Sequence, residues 1–143
     1  MGNNIWEKLN YEAEKLQGSR TWSPFVTGGD VSCALESENG KIFTGINIEN
    51  CCGVVCLCAE RVAITKMVTE TGELVVKRLL ARGSIPPKEE LNNWAPCGAC
   101  REFLMQLSDK NKDTEIMMDF ETGKTITLKE LIPYWWGDVR FKK

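Results

Sequence analysis

The sequence predicts an α/β protein, a single domain over residues 1–143 that folds as a three-layer α/β/α sandwich around a mixed five-stranded sheet. Three observations support this prediction. The length of 143 residues suits one domain with a real core. The hydrophobic content of 43% and the charged content of 27% are those of an ordinary globular chain. Segments with strand patterns alternate with segments of helical spacing, without a repeat or a linker between them.

The first half of the chain predicts a helix, a loop and a hairpin. Residues 5–17 carry apolar side chains at helical spacing and are followed by Gly18, which predicts a helix. Residues 20–30 include Pro24 and two glycines, which favours a loop. Two strand-like segments, 31–37 and 41–48, flank an Asn39-Gly40 pair, the sequence typical of a tight hairpin turn.

The second half alternates between the two kinds of element. Helical spacing predicts helices over residues 58–71 and 97–107, and a short helix opens the C-terminal segment 128–143. Strand patterns predict strands over residues 74–83, 114–120 and 122–128, and a polar loop occupies residues 84–94. Together with the hairpin, these strands bring the predicted sheet to five.

Charge and hydropathy exclude several classes of function. The formal net charge is -2, and lysines and arginines are scattered, so we expect no nucleic-acid partner. No apolar run approaches the roughly 20 residues of a membrane span, so we expect no membrane partner. The N-terminus has no apolar signal core, which predicts a cytoplasmic protein whose seven cysteines stay reduced. The chain has no histidine, so a metal site must use thiolates and carboxylates, and a general base is most simply Asp or Glu.

The cysteines at two helix starts predict a zinc centre. Cys97 and Cys100 lie one helical turn apart, and Cys58 begins another helix. Unpaired N–H groups at a helix start stabilise thiolates. Three thiolates around one Zn²⁺ leave a fourth position for water, as in a catalytic site. Arg61 is then the natural compensating cation, and Glu60 can take a proton from that water. The other four cysteines (Cys33, Cys51, Cys52 and Cys56) are expected to be small buried hydrophobes.

Three separated motifs resemble those of the cytidine deaminase family in its small-subunit form, over most of the chain. They are Cys58-Ala59-Glu60-Arg61, the segment 96–101 (Pro-Cys-Gly-Ala-Cys-Arg) and the segment 44–50 (Thr-Gly-Ile-Asn-Ile-Glu-Asn). The resemblance implies zinc-dependent deamination of cytidine or deoxycytidine, with Glu60 as proton shuttle. It also implies ribose contacts from Asn47 and Glu49, an amide and a carboxylate that can both accept hydrogen bonds from a vicinal diol.

The same resemblance implies a substrate pocket and an assembly. Phe25 and Ala59 are expected in the pocket. The paired Trp135-Trp136 in the tail is expected to mark an interface, because exposed adjacent aromatics favour one. The family implies a homotetramer with shared active sites, in which Trp136 reaches the pocket of a neighbouring subunit.

Other interpretations stay open at this stage. The chain departs from the family pattern at Gly53, in the loop from Phe25 to Asp30 and at Glu102. A blasticidin-S or other modified cytosine-nucleoside deaminase has related motifs. Without the Cys58 motif, Cys97 and Cys100 would fit a structural zinc site or a redox pair, so a zinc-stabilised interaction domain is the non-enzymatic alternative. The sequence does not select the nucleoside or its pathway, although pyrimidine salvage is expected.

Overall fold

The computed structural model describes residues 4–83 and 94–142. Within these ranges helices and strands alternate as predicted. The elements are α1 (Ile5–Leu16), β1 (Arg20–Thr21), β2 (Val26–Ser37), β3 (Ile42–Asn50), α2 (Ala59–Thr71), β4 (Val76–Gly83), α3 (Gly98–Leu107), β5 (Glu115–Asp119), β6 (Lys124–Thr127) and α4 (Leu128–Leu131). Short 3-10 turns lie after β3 at Gly53–Val55, after α3 at Asp109–Asp113 and after α4 at Asp138–Arg140.

One mixed sheet organises the fold. Strand β2 pairs with β3 antiparallel on one side. On its other side it pairs antiparallel with β4 along its C-terminal half and with the two-residue β1 near its start. Strand β5 continues the sheet parallel to β4, and β6 closes it antiparallel to β5. The mixed sheet is therefore confirmed, with six strands rather than five because of β1.

Helices cover both faces of the sheet, as a three-layer sandwich requires. Successive side chains of a strand point to opposite faces. Leu9 and Ala13 of α1 pack with Ala34 and Leu80 on one face. On the other face, a second buried cluster joins Ile64 and other residues of α2 and α3 to the sheet. The whole second half of β2 is buried, so this strand lies at the centre of the domain.

The predicted loop over residues 20–30 is wrong, because most of it is strand. Val26 pairs with Asn50, and Gly28 pairs with both Arg20 and Ile48. A register shift between Gly28 and Ser32 marks a bulge. Gly29 has φ +89, a left-handed conformation that glycine adopts without strain. The Gly28-Gly29 pair therefore belongs to a bulged strand.

The remaining predicted elements agree closely with the structure. The hairpin turn is present, with Gly40 at φ +82 and the Ser37 N–H donating to the Lys41 carbonyl. Cys58 is the N-cap residue of α2, and Cys97 is the N-cap residue of α3. Most of the predicted polar loop, residues 84–93, lies outside the described residues.

Candidate metal centre and active-site cavity

Three cysteines converge where two helices begin. Cys58 and Cys97 are the N-cap residues of α2 and α3, and Cys100 lies in the first turn of α3. The Cys97 Sγ is 3.4 Å from the Cys58 Sγ and 3.5 Å from the Cys100 Sγ. All three sulfur atoms lie within 4.8 Å of one another. The structure thus brings together the three predicted ligands from two elements that are 39 residues apart in sequence.

The cluster fits a tetrahedral zinc ion. Ligand sulfurs at about 2.3 Å from Zn²⁺ in tetrahedral geometry lie roughly 3.8 Å apart. The observed separations of 3.4 and 3.5 Å, and the 4.8 Å limit for the group, are close to this value. Three thiol ligands leave one position open, which is the arrangement of a catalytic rather than a closed structural site.

The surroundings of each thiol shift its pKa differently. Burial raises the pKa of Cys58, helped by its hydrogen bond with Cys97. Burial also opposes ionisation of Cys97, but hydrogen bonds from the Cys100 backbone N–H and from neighbouring groups outweigh it and lower the pKa of Cys97. Burial and the nearby Glu60 charge raise the pKa of Cys100 well above its ordinary value. The helix start thus favours a thiolate first at Cys97.

Glu60 lies against the thiol cluster. It occupies the first turn of α2 and is only 6% exposed. The Cys100 Sγ is 3.9 Å from its Oε2. Burial raises the pKa of Glu60, although backbone and Cys100 hydrogen bonds and the Arg61 charge oppose the shift. A carboxyl group with a raised pKa next to a metal site is suited to proton transfer.

A glycine in β3 sets the position of the α2 helix start. A Cβ atom at Gly45 would lie 2.6 Å from the Ala59 carbonyl oxygen and 2.7 Å from the Ala63 backbone nitrogen. Real side chains do not allow such distances, so only glycine lets the helix approach the strand this closely. Because Cys58 and Glu60 lie at this end of α2, Gly45 indirectly fixes both of them against the sheet.

Arg61 is placed beside the cluster, as predicted. Its Nη2 donates to the Cys56 carbonyl at 3.2 Å and lies 3.8 Å from the Cys58 Sγ. Among the parts of the chain that the structure describes, its Nε is buried without a hydrogen-bond partner. A half-buried guanidinium with a free donor is suited to act as the counter-charge of a thiolate cluster.

A cavity of about 460 Å³ opens over the cluster. Its walls include most of the predicted site residues, together with one residue from the middle of β2 and two from the end of β4. The lining consists of Val31, Asn47, Glu49, Cys56, Leu57, Cys58, Ala59, Glu60, Arg61, Ala81, Gly83, Trp94, Ala95 and Cys97. This volume is within the range of small-molecule sites.

Asn47 and Glu49 stand on the wall formed by β3, with Asn47 buried and Glu49 exposed. The Asn47 Oδ1 accepts hydrogen bonds from the Gly29 and Val31 backbone N–H groups, each at 3.0 Å, and so closes the bulge of β2. Its Nδ2 donates to the Glu49 Oε1 at 3.3 Å. Two backbone N–H groups use the amide oxygen, so the amide nitrogen of Asn47 is the group that remains for other partners. Asn47 presents N–H groups, and Glu49 presents the acceptor.

Two predicted site residues lie away from this cavity. Phe25 is 67% exposed and does not contribute to the lining. Trp136 is 59% exposed, and its indole N–H donates to Glu102 of the same chain. The expectation of exposed paired tryptophans is met only by Trp136, because Trp135 is buried. Within one subunit, therefore, the cavity is lined without Phe25 and Trp136.

The remaining four cysteines differ in burial. Cys33 is buried, as predicted. Cys56 is half-buried on the cavity wall, where its thiol contacts the Asn50 backbone. Cys51 and Cys52 are exposed, so their predicted burial is wrong. The loop after β3 turns these two side chains outward instead of toward the core.

Sequence reasoning missed the part of the wall supplied by the sheet. Val31 pairs with Gly83 across the β2–β4 pair, and Ala81 lies two residues before Gly83 on β4. All three are small or apolar residues with no chemical signature of their own. The feature that could have indicated them is the pairing register of β2 with β4. Paired strands that lie beside the metal-binding helices line the space above the metal.

Comparison with known proteins identifies consistent relatives. Residues 12–113 match the family model described as cytidine and deoxycytidylate deaminase zinc-binding region, a range that contains all three clustered cysteines. The chain is 30% identical over 126 residues to a cytidine deaminase of Mycoplasma pneumoniae, covering 87% of this chain and 90% of that one. It is 31% identical over 109 residues to a blasticidin-S deaminase of Bacillus cereus, covering 72% and 74%.

A solved structure shares the same fold. The crystal structure of a cytidine deaminase from Mycobacterium leprae superposes with a TM-score of 0.67 at 24% sequence identity. The match covers 93% of this chain and 99% of that chain. The chain therefore shares its fold with that crystal structure.

Proposed function

The chain belongs to the cytidine and deoxycytidylate deaminase family of zinc-dependent hydrolases, and on this premise we propose that it hydrolyses cytidine or deoxycytidine. Water replaces the 4-amino group of the base, so the products are uridine or deoxyuridine and ammonia. The relative from Mycoplasma pneumoniae, which aligns over most of both chains, is a cytidine deaminase by name.

One observation carries the proposal. A single cavity is lined by Cys58 and Cys97 of the three-thiol cluster, by a buried carboxyl group beside them and by an amide–carboxylate pair on β3. A nucleoside has a base that must be attacked and a diol that can be held, and the two parts of this cavity match those two needs. Neither a structural zinc site nor a redox pair requires Glu60, Asn47 and Glu49 together.

Glu60 moves the proton in the proposed mechanism. Zinc, when bound by Cys58, Cys97 and Cys100, supplies a Lewis acid that makes water nucleophilic near neutral pH. The Glu60 carboxylate takes a proton as water adds to C4 of the cytosine ring. The resulting carboxylic acid gives this proton to the amino nitrogen, which then leaves as ammonia. Burial raises the pKa of Glu60, and this shift helps the side chain both accept and return a proton.

Arg61 offsets the charge of the thiolates. Three thiolates give their centre a net negative charge even with a divalent ion, which weakens the ion's effect on water. The Arg61 guanidinium, 3.8 Å from the Cys58 Sγ, partly cancels this charge. Its hydrogen bond to the Cys56 carbonyl keeps it in place.

Asn47 and Glu49 hold the sugar. The Glu49 carboxylate accepts hydrogen bonds from ribose hydroxyls, and the Asn47 amide donates one N–H to Glu49 and retains another for a hydroxyl oxygen. The buried Ala59 at the start of α2 forms the wall beside the base. Substrate contacts from both the thiol side and the β3 side orient the reacting carbon.

The proposed active form is a cytoplasmic homotetramer with shared sites that acts in pyrimidine salvage. The exposure of Phe25 and Trp136, which are absent from the cavity of their own chain, supports a neighbouring subunit as their site of action. In this arrangement Trp136 stacks on the base bound in the neighbouring subunit, and Phe25 lies at the same contact between subunits. Across residues 4–83 and 94–142, no helix has the length and apolar character needed to span a membrane.

The relative from Bacillus cereus favours a second candidate, blasticidin S, on the same site. Purified protein should be tested with cytidine, deoxycytidine and blasticidin S while absorbance of the cytosine ring and ammonia release are followed. Metal analysis and sizing chromatography complete the assay. We expect one zinc per chain, a tetramer and the highest kcat/KM on cytidine or deoxycytidine. Preference for blasticidin S would select the second candidate, and bound zinc without turnover would indicate an interaction domain.

A further inference from the structure

Glu102 joins the metal-binding helix to the C-terminal tail. It lies on α3, one residue beyond Arg101 and two beyond Cys100. Its Oε2 accepts a hydrogen bond from the Trp135 indole N–H, and its Oε1 accepts one from the Trp136 indole N–H. Each oxygen of one carboxylate is thus used by a different tryptophan of the tail.

The two tryptophans occupy different environments. Trp135 is 8% exposed, belongs to the main core cluster and stacks on Phe141 with ring centroids 6.0 Å apart. Gly137 leaves room for this ring, since a Cβ there would lie 2.4 Å from it. Trp135 therefore has packing partners that fix it without Glu102.

Trp136 has no comparable packing. It is 59% exposed, its ring lies 6.0 Å from that of Trp135, and the Arg140 guanidinium is 5.0 Å from its centroid. Its hydrogen bond to Glu102 is the directional contact that selects one orientation of this exposed indole. An exposed ring held in one orientation loses little conformational entropy when it binds.

We propose that Glu102 is a positioning residue that holds Trp136 in the orientation with which it contacts the substrate of a neighbouring subunit. The proposal rests on the shared active site described under the proposed function. The carboxylate is needed because it has two acceptor oxygens for two indole donors. A glutamine at this position has one acceptor oxygen and one donor nitrogen, so it cannot offer each tryptophan a separate acceptor oxygen.

The test uses Glu102→Gln and Glu102→Ala, with Gln106→Ala as the matched control. Gln106 also donates to Glu102, at 3.1 Å, but touches neither indole in the described contacts. Near-ultraviolet circular dichroism reports the fixed pair of indoles, and steady-state kinetics with cytidine report its use. For both Glu102 variants we expect a weaker dichroism signal and a KM raised by roughly 10-fold, the loss that about 1.4 kcal/mol produces. Zinc content and kcat should change little, and the control should behave as wild type.

A further variant separates orientation from stacking. Trp136→Phe keeps an aromatic ring but removes the indole N–H. We expect it to raise KM as Glu102→Gln does, and the double variant should be no worse than either single one, because both remove the same contact. Additive losses would overturn the shared role.

The remaining outcomes also decide the proposal. Unchanged dichroism in Glu102→Ala would show that the carboxylate does not fix the indoles. Reduced dichroism with an unchanged KM would show a contact that only supports the tail. If wild-type protein does not act on cytidine, the proposed function fails by that result alone, whereas the dichroism of the variants still decides whether Glu102 holds the tail.

Discussion

Asn47 joins the fold to the proposed sugar site, so two substitutions there separate its two roles. Asn47→Ala removes the oxygen that accepts the Gly29 and Val31 N–H groups at 3.0 Å. Leaving a buried donor unsatisfied costs about 1–3 kcal/mol, so the two donors together should cost roughly 2–6 kcal/mol of unfolding free energy.

Asn47→Asp should keep the fold and impair binding. The remaining oxygen can still accept both backbone N–H groups, whereas the donor to the Glu49 Oε1 at 3.3 Å becomes a second carboxylate oxygen. Because Glu49 is solvent-exposed, the repulsion is estimated in water, where two charges at this distance cost about 1 kcal/mol. A KM for cytidine raised by roughly 5- to 10-fold is the expected result, with little change in kcat.

The assays are urea denaturation for stability and steady-state kinetics for binding. For Asn47→Ala the urea midpoint should fall at an unchanged slope, and for Asn47→Asp it should fall only by the equivalent of about 1 kcal/mol. A wild-type midpoint in Asn47→Ala would refute the structural role of the amide oxygen. A wild-type KM in Asn47→Asp would refute the pairing of Asn47 with Glu49 at the substrate.

Three further outcomes follow from the structure. Cys97→Ser should lose most bound zinc by metal analysis, whereas the exposed Cys52→Ser should retain it; equal retention would remove Cys97 from the ligand set. Gly45→Ala places a Cβ 2.6 Å from a backbone oxygen of α2 and should destabilise the fold by about 1–3 kcal/mol in thermal unfolding. Gly53→Ala places its Cβ in open space and should not destabilise the fold. Hydrogen bonds from the backbone and side chain of Thr127, the N-cap residue of α4, lower the pKa of Glu130. The stabilisation from these bonds is therefore fully present above the ordinary pKa of about 4.3. It is lost as the pH falls through the lower pKa of the folded state. The Tm difference between wild type and Glu130→Gln should therefore vanish in acid, and a constant difference would contradict this.

Local signals predicted the metal centre well. Cys58 and Cys97 stand at helix starts, and the Cys97–Cys100 spacing places two thiols on one face of a helix, so adjacent residues carry most of the needed information. The Asn39-Gly40 turn was predictable for the same reason. That the two helix starts meet was supplied by the resemblance, because no local pattern states it.

Features that depend on distant pairing were not predictable from local patterns. The Gly28-Gly29 pair is typical of a loop, yet long-range pairing with Asn50 and Ile48 makes it part of β2. The two backbone donors to the Asn47 amide oxygen belong to the β2 bulge, which forms only in the folded sheet. In the same way, the contact between Trp136 and Glu102 spans 34 residues and has no signature in either segment alone.

The most direct test of zinc-dependent deamination at this site is cytidine turnover by Glu60→Gln at matched zinc content. Glutamine keeps the size of Glu60 but cannot accept and return a proton. With no histidine in the chain to replace it, kcat should fall by at least the roughly 10²–10⁴-fold typical of a lost acid–base group. Zinc content and the unfolding midpoint should remain close to wild type. Turnover within a few-fold of wild type, at equal zinc, would contradict the proposed mechanism.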